Sequence, residues 1–226
     1  MENLKKVPLS ITYAFAFLLL LTVILHFWWW YAIPLKSLSG EDIYYAWREG
    51  TNIVDGLNPY ARTLLGNLRD NDKYSTYLPF VYYFSALLQK LGFTTFRDFI
   101  YIWRPLSLIA HLITGISIFY LYIKKGFYYL GLIILSIFFL GRWSSYIIMT
   151  QHLEFLAVLF LIGSLLYLDR RPLIAGILFG GSICIKHLGI IFLPLIVINF
   201  GLFKKENFLN FKNYLVGFLI YSLPIC

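Results

Sequence analysis

The sequence predicts an all-α protein: a polytopic transmembrane helical bundle with an interfacial helix in its first extracytoplasmic loop. Hydrophobic residues make up 60% of the 226 positions and charged residues only 13%, which is more apolar surface than a soluble domain of this length could hide. Several apolar runs approach the roughly 20 residues that a helix needs to cross a bilayer. These runs are continuous and do not alternate, which favours helices over the strands of a membrane barrel.

The charges mark the ends of the apolar runs. The formal net charge is +8, and much of the excess lies in four basic pairs. These are Lys5-Lys6, Lys124-Lys125, Arg170-Arg171 and Lys204-Lys205. Basic residues beside membrane spans are typical of the cytoplasmic side. There is no basic stripe that would indicate nucleic acid binding, so we expect membrane lipids as partners and an integral, multi-pass protein of the cell membrane.

The two cysteines do not predict a metal site. Cys184 and Cys226 both lie in apolar runs, which indicates neither a disulfide framework nor a metal cluster. The acidic residues and the histidines are too scattered along the chain to suggest a set of metal ligands. We therefore expect neither a metal nor another cofactor.

The first span is predicted over residues 11–33. A signal peptide has a shorter apolar core that ends at a small-residue cleavage site, whereas this run ends in Trp28-Trp29-Trp30, and tryptophans favour the membrane interface. We interpret it as a retained span with the N-terminus inside. Residues 34–76 are then an extracytoplasmic loop.

An interfacial helix is predicted over residues 40–55 of that loop. Ser39 is placed to cap it, with Asp42 three positions on. Ile43, Trp47 and Val54 repeat on one face, and Gly56 ends the helix. An amphipathic helix with aromatic residues beside a membrane is expected to lie in the interface.

The remaining membrane helices are predicted within residues 77–226, and the whole chain forms one module. The run at 77–91 is short for a span. If every basic pair faces the cytoplasm and Tyr74 lies outside, one of the two apolar runs between Tyr74 and Lys124 does not cross. The run at 77–91 is the shorter of the two, and we expect it to be re-entrant or tilted at the outer side. With that topology, Asp42, Arg104, Gln151-His152 and Lys186-His187 approach the same outer face. Ionisable residues near or within spans are candidates for function.

These residues carry a resemblance to a known family. The order is an acidic residue after the first span, then Gly56-Leu57-Asn58-Pro59-Tyr60, then Tyr77-Leu78-Pro79. A second block follows, with Thr150–Leu156, Arg170–Gly176, Ile185-Lys186-His187 and Leu193-Pro194. Each motif is short, but their order and spacing over nearly the whole chain resemble the GT-C superfamily of membrane glycosyltransferases. The second block is similar to the polyprenol-phosphate-mannose branch and, around Lys186-His187, to the dolichol-phosphate-glucose branch.

Two features depart from the family pattern. The family usually has a Tyr-Pro-Pro-like step where this chain has Tyr77-Leu78-Pro79, and its members are usually much longer. The chain resembles the N-terminal module alone and stops inside an apolar run at 214–226. We therefore expect a fragment or split protein, with a second chain as a partner that supplies the missing C-terminal half.

The resemblance implies the inverting transfer of a hexose, with mannose as the sugar of the nearer branch. The donor is a polyprenyl-phosphate sugar, and the acceptor is a lipid or glycan at the extracytoplasmic face. It implies that Asp42 is the general base, with Glu41 as the alternative catalytic carboxylate. Cations must also hold the phosphate leaving group as its charge develops, and for Lys186 the family position supports this role.

The other candidate substrate-binding residues come from their chemistry. Arg104 and His187 are further candidates for the phosphate, Tyr77 could position the carrier or its sugar, and Gln151, His152 and Glu154 could line the pocket. Each candidate has a structural alternative: a helix-start acid for Asp42, snorkelling for Lys186, an ion pair with a buried carboxylate for Arg104, an interface anchor for Tyr77, and a helix start for 151–154. We expect His111 to be a core histidine.

A second class of function is also compatible with the sequence. The chain could be a non-catalytic membrane subunit, such as a lipid-handling or transporter-like module that works with a second chain. The absence of the C-terminal half of the family is the feature that motivates this alternative.

Overall fold

The computed structural model describes residues 7–61, 79–200 and 208–220, and all regular secondary structure in these ranges is helical. The α-helices are α1 (Leu9–Ala32), α2 (Asp42–Val54), α3 (Pro79–Lys90), α4 (Phe96–Lys124), α5 (Tyr128–Leu140), α6 (Arg142–Thr150), α7 (Glu154–Tyr167), α8 (Pro172–Ile185), α9 (Leu193–Asn199) and α10 (Phe208–Leu219). Two short 3-10 helices cover Leu35–Gly40 and His187–Phe192. The predicted all-α class is confirmed for these residues.

Among the described residues, three segments are long and apolar enough to cross a membrane. They are α1 with 24 residues, α4 with 29 residues, and Tyr128–Thr150 with 23 residues, which joins α5 to α6. At about 1.5 Å per residue each exceeds the ~30 Å hydrocarbon core. The segments indicate a membrane protein. The helices α7 and α8 are also apolar but have only 14 residues each.

Local sequence signals explain where the longest helix begins and ends. Thr95 and Asp98 form a capping box at the start of α4, in which the Thr95 hydroxyl accepts a hydrogen bond from the Asp98 backbone N–H at 3.2 Å. This satisfies a backbone donor that the first turn leaves open. After Lys124 the chain turns at Gly126, whose φ of 78° is accessible to glycine without steric cost.

The helix α2 packs against α3 and the start of α4. Its buried face contains Ile43, Ala46 and Gly50, and these lie against Tyr82 and Ser85 of α3. A Cβ atom at Gly50 would overlap the Ser85 side chain, so the two backbones approach closely there. The same cluster includes buried residues from the beginning of α7 and the end of α8, which brings these helix ends to α2.

Three details predicted for α2 differ from the structure. Its N-cap residue is Glu41, not Ser39, and the helix covers Asp42–Val54 instead of 40–55. Ser39 lies in the first 3-10 helix, where its hydroxyl donates to the Lys36 carbonyl at 2.9 Å. The predicted apolar face is also incorrect at one position, because Val54 is 39% exposed. The residues that the capping signal assigned to the start of α2 belong to this 3-10 helix instead.

A histidine pair lies where α1 meets α4. Nε2 of His26 is 3.0 Å from Nδ1 of His111, and Nε2 of His111 is 3.3 Å from the Phe138 carbonyl. The His111 ring stacks on Phe155 with a centroid distance of 3.8 Å. Both histidines are fully buried, so the prediction that His111 is a core histidine is confirmed.

Candidate functional site

Five ionisable residues from three parts of the chain meet at one end of the helix bundle. Glu41 caps α2, and Asp42 is its first residue. His152 lies in the link between α6 and α7, Glu154 begins α7, and Lys186 follows the last residue of α8. We call these five residues the acid–base cluster. Every member is therefore held at the end of a helix, where a rigid element fixes its backbone.

The histidine is at the centre of the cluster. Its Nε2 lies 3.2 Å from Oε2 of Glu41 and 4.0 Å from Oδ2 of Asp42. Its Nδ1 lies 3.4 Å from Oε1 of Glu154, and the same Glu154 oxygen accepts a hydrogen bond from Nζ of Lys186. A continuous series of polar contacts thus links the start of α2 to the end of α8.

The link between α6 and α7 explains how His152 reaches this position. Gln151 has a φ of 57°, the left-handed conformation that commonly ends a helix. The Trp103 indole of α4 donates to the Gln151 carbonyl at 3.0 Å, and the backbone N–H of His152 donates to the Ile147 carbonyl at 3.2 Å. These contacts fix the turn, so that α7 starts two residues later at Glu154.

The electrostatics of the cluster favour a protonated histidine. Burial alone would lower the pKa of His152, but the carboxylates of Glu154, Asp42 and Glu41 outweigh it and raise the pKa above 6.5. Both ring nitrogens face carboxylate oxygens, and only the imidazolium form can donate from both. Burial alone would raise the pKa of Glu154, but its contacts with His152 and Lys186 outweigh it and lower that pKa.

A cavity of about 100 Å³ adjoins the cluster. Glu154 and Lys186 are its charged lining residues. The other lining residues are apolar or small: Trp143, Ala157, Val158, Leu161, Ser182, Gly189 and Phe192. The Ser182 hydroxyl donates to the Ala157 carbonyl at 2.8 Å and so has its hydrogen bond already. An apolar cavity with charges among its lining residues suits an amphipathic ligand.

The structure brings only some of the predicted site residues together. Glu41, Asp42, His152 and Lys186 are in the acid–base cluster, whereas no side-chain hydrogen bond or ion pair joins Arg104 or His187 to it in the described ranges. Arg104 is buried, and its guanidinium donates to the Ile33 carbonyl at 3.5 Å. The expected alternative, an ion pair with a buried carboxylate, is not observed for Arg104 within residues 7–61, 79–200 and 208–220.

The remaining predicted residues have different surroundings. Gln151 is buried and its side-chain amide donates to the Ile148 carbonyl, so it supports the turn before His152. His187 is exposed at the beginning of the second 3-10 helix. Tyr77 lies outside the described residues. In the part of the chain that the structure describes, no three histidine, cysteine or acidic residues are placed to hold a metal ion.

Glu154 is the residue whose importance the sequence did not reveal. Its position two residues after His152, at the start of an apolar run, suggested only that it lines a pocket. The structure places its carboxylate between Lys186 and His152, a bridge that depends on how α7 packs against α8. The sequence did contain one signal for Glu154, which is the presence of ionisable residues near the start of an apolar run.

No known protein family, curated protein or solved structure matches this chain. The similarity to GT-C enzymes therefore remains an expectation from the motifs.

Proposed function

We propose that this chain acts as a glycosyltransferase of the GT-C type, which transfers a hexose from a polyprenyl-phosphate-linked donor with inversion. The observation that carries the proposal is the acid–base cluster itself. Carboxylates on α2 and a lysine at the end of α8 meet across His152 and Glu154. The reaction requires this combination, a base for the acceptor hydroxyl and a cation for the phosphate that leaves.

In the proposed reaction Asp42 is the general base. It accepts the proton of the acceptor hydroxyl as that oxygen forms its bond to the anomeric carbon. The bond from the anomeric carbon to the phosphate oxygen breaks, and the polyprenyl phosphate leaves with the electron pair. Lys186 stabilises the negative charge that develops on that oxygen, while His152 lies between Asp42 and Glu154.

The cavity next to Lys186 supports a lipid-linked donor. A phosphate beside Lys186 would direct the adjoining isoprenoid carbons toward apolar lining residues such as Ala157, Leu161 and Phe192. Burial of each methylene group contributes about 0.8 kcal/mol. The same cavity offers few polar groups for a free nucleotide sugar. This composition favours a lipid-phosphate donor over a nucleotide donor.

The helix order supports a site on the extracytoplasmic side. The α3 helix has 12 residues, about 18 Å, and is too short to cross a bilayer. If α1, α4 and Tyr128–Thr150 each cross once, the start of α2 and His152 are on the same side. Lys124-Lys125 are then on the other side, as expected for cytoplasmic basic residues. The contact between Glu41 and His152 agrees with this topology.

Mannose is the first sugar to test, because the motif order resembles the mannose branch, and the acceptor is proposed to be a lipid or a glycan. The test is a transfer assay with the protein in lipid nanodiscs and a panel of polyprenyl-phosphate sugars. Asp42→Asn should lower turnover by about 100-fold or more, as expected for loss of a general base, and leave donor binding unchanged. Asp55→Asn is the matched control, since Asp55 is exposed at the other end of α2.

Three outcomes distinguish the possibilities. Transfer that is lost in Asp42→Asn and kept in Asp55→Asn supports the proposal. Transfer that persists in Asp42→Asn excludes Asp42 as the base. Donor binding without transfer of any sugar contradicts the enzymatic proposal and favours a lipid-handling subunit.

A further inference from the structure

The lysine proposed to meet the donor phosphate already has a carboxylate partner. Nζ of Lys186 donates to Oε1 of Glu154, and both residues line the same cavity. The phosphate of a donor that uses Lys186 must therefore compete with Glu154 for the ammonium group.

The charges in the cluster make the competition severe. Among the described residues, the carboxylates of Glu41, Asp42 and Glu154 outnumber the Lys186 ammonium and His152, whose two ring nitrogens both face carboxylate oxygens. Glu154 is 9% exposed and His152 is 8% exposed, so water screens these charges weakly. A phosphate next to Lys186 would be repelled by Glu154 unless that carboxylate moves away from the lysine.

Glu154 has a second donor within reach. Its Oε1 is 3.4 Å from Nδ1 of His152, longer than a well-formed hydrogen bond between nitrogen and oxygen. Its other oxygen, Oε2, is buried and accepts no hydrogen bond in the part of the chain that the structure describes. A small rotation of the carboxylate toward His152 would shorten one contact and release the lysine.

We propose that Glu154 is a displaceable counter-ion, which a phosphate-bearing headgroup removes from Lys186 and which then tightens its hydrogen bond to His152. The identity of the anion rests on the proposed function. Glu154 is thus a positioning residue: it acts through Lys186 and His152 and does not touch the reacting atoms. When the donor is bound, Glu154 holds the imidazole of His152 in one orientation toward Glu41 and Asp42. In other proteins a carboxylate partner fixes the orientation of a histidine in the same way.

The proposal predicts opposite effects of one substitution on binding and on turnover. Glu154→Gln removes the competing charge, so the donor binds more tightly and KM falls. The same change weakens the contact that orients His152, so kcat also falls. A residue with a merely structural role would not produce tighter binding together with slower turnover.

Direct binding separates this inference from the proposed activity. The probe is farnesyl phosphate, a short polyprenyl phosphate, with farnesol as the neutral reference, in phosphatidylcholine nanodiscs that hold the full chain. We expect Glu154→Gln to lower the Kd for farnesyl phosphate roughly tenfold and Lys186→Met to raise it roughly tenfold. Asp169→Asn is the matched control because it makes the same charge change at an exposed position just beyond the other end of α7, and its Kd should be unchanged.

The outcomes of this binding experiment distinguish failure of the proposed function from failure of the displaceable counter-ion alone. If the wild-type protein binds farnesyl phosphate no better than farnesol, the proposed function is contradicted along with this inference. If binding prefers the phosphate and requires Lys186, but Glu154→Gln leaves it unchanged or weakens it, only the displaceable counter-ion is overturned. Should Glu154→Gln fail to fold, Glu154→Asp replaces it. That variant retracts the carboxylate by one methylene and should tighten binding by a smaller factor, while unchanged or weaker binding again overturns the inference.

Discussion

Nε2 of His152 lies 3.2 Å from Oε2 of Glu41, a contact between residues 111 positions apart in the sequence. It joins the start of α2 to the link between α6 and α7. Because Nδ1 of the same ring faces Glu154, which also contacts Lys186, this single histidine connects all the members of the acid–base cluster. Changes at His152 should therefore affect both the stability of the protein and the chemistry of the site.

The stability contributed by His152 should depend on pH. Burial acts to lower the pKa of His152, and the carboxylates of Glu154, Asp42 and Glu41 raise it above 6.5 overall. A raised pKa in the folded state means that the stabilisation is fully present below about pH 6.5 and is lost as the pH rises through the folded-state pKa. The difference in melting temperature between the wild-type protein and His152→Gln should be largest at low pH and shrink above that pKa.

His187→Gln is the control for this measurement. His187 is exposed next to Lys186, so its substitution should leave the melting temperature unchanged across the same pH range. If the difference in melting temperature between the wild-type protein and His152→Gln does not vary with pH, the carboxylates do not hold the proton on His152.

The contact between α8 and α10 should tolerate no side chain at Gly176. A Cβ atom there would overlap the Tyr214 carbonyl, and one at Gly217 would overlap the Leu173 carbonyl. Close backbone approach at small residues is a common way for membrane helices to associate. Gly176→Ala should destabilise the protein by about 1–3 kcal/mol, the usual cost of overpacking, measured as a lower melting temperature.

Gly163→Ala provides the matched comparison. Gly163 lies within α7, where a Cβ atom would come 3.2 Å from the flexible end of Leu178. Both glycine-to-alanine substitutions raise the helix propensity by the same amount. The difference between the melting temperatures of the two variants therefore measures the effect of the backbone contact. Equal melting temperatures for the two variants would contradict the close packing of α8 on α10.

The proposed topology predicts opposite labelling at the two ends of α4. With both native cysteines replaced by serine, Lys90→Cys should react with a membrane-impermeant maleimide added outside the cell. Lys125→Cys should react only after the membrane is opened, because α4 crosses between them. Labelling of Lys90→Cys from the cytoplasmic side alone would reject the extracytoplasmic location of the cluster.

The sequence predicted the helices well where composition alone determines them. The first span was expected over 11–33 and α1 covers Leu9–Ala32. Apolar length fixes such elements because the backbone of a helix satisfies itself in lipid. The start of α2 was predicted less well, because Ser39 belongs to a preceding 3-10 helix that the sequence pattern did not predict.

Contacts between distant residues were the part that the sequence could not supply. His26 was not singled out, and its contact with His111 depends on the rotation of α1 relative to α4. Glu154 pairs with Lys186, 32 positions away, only because α7 and α8 are antiparallel neighbours. In contrast, the expectation that Asp42, His152 and Lys186 approach one face needed only the order of the spans.

The role of Lys186 in the transfer is tested by the rate of sugar transfer by Lys186→Met, assayed with the polyprenyl-phosphate sugar that the wild-type protein uses. Loss of the cation that stabilises the leaving phosphate should lower kcat/KM by about 100-fold, and Lys186→Arg should restore part of it. Lys212→Met, at an exposed position of α10, should transfer sugar at the wild-type rate. Transfer by Lys186→Met that equals that of Lys212→Met would contradict the account.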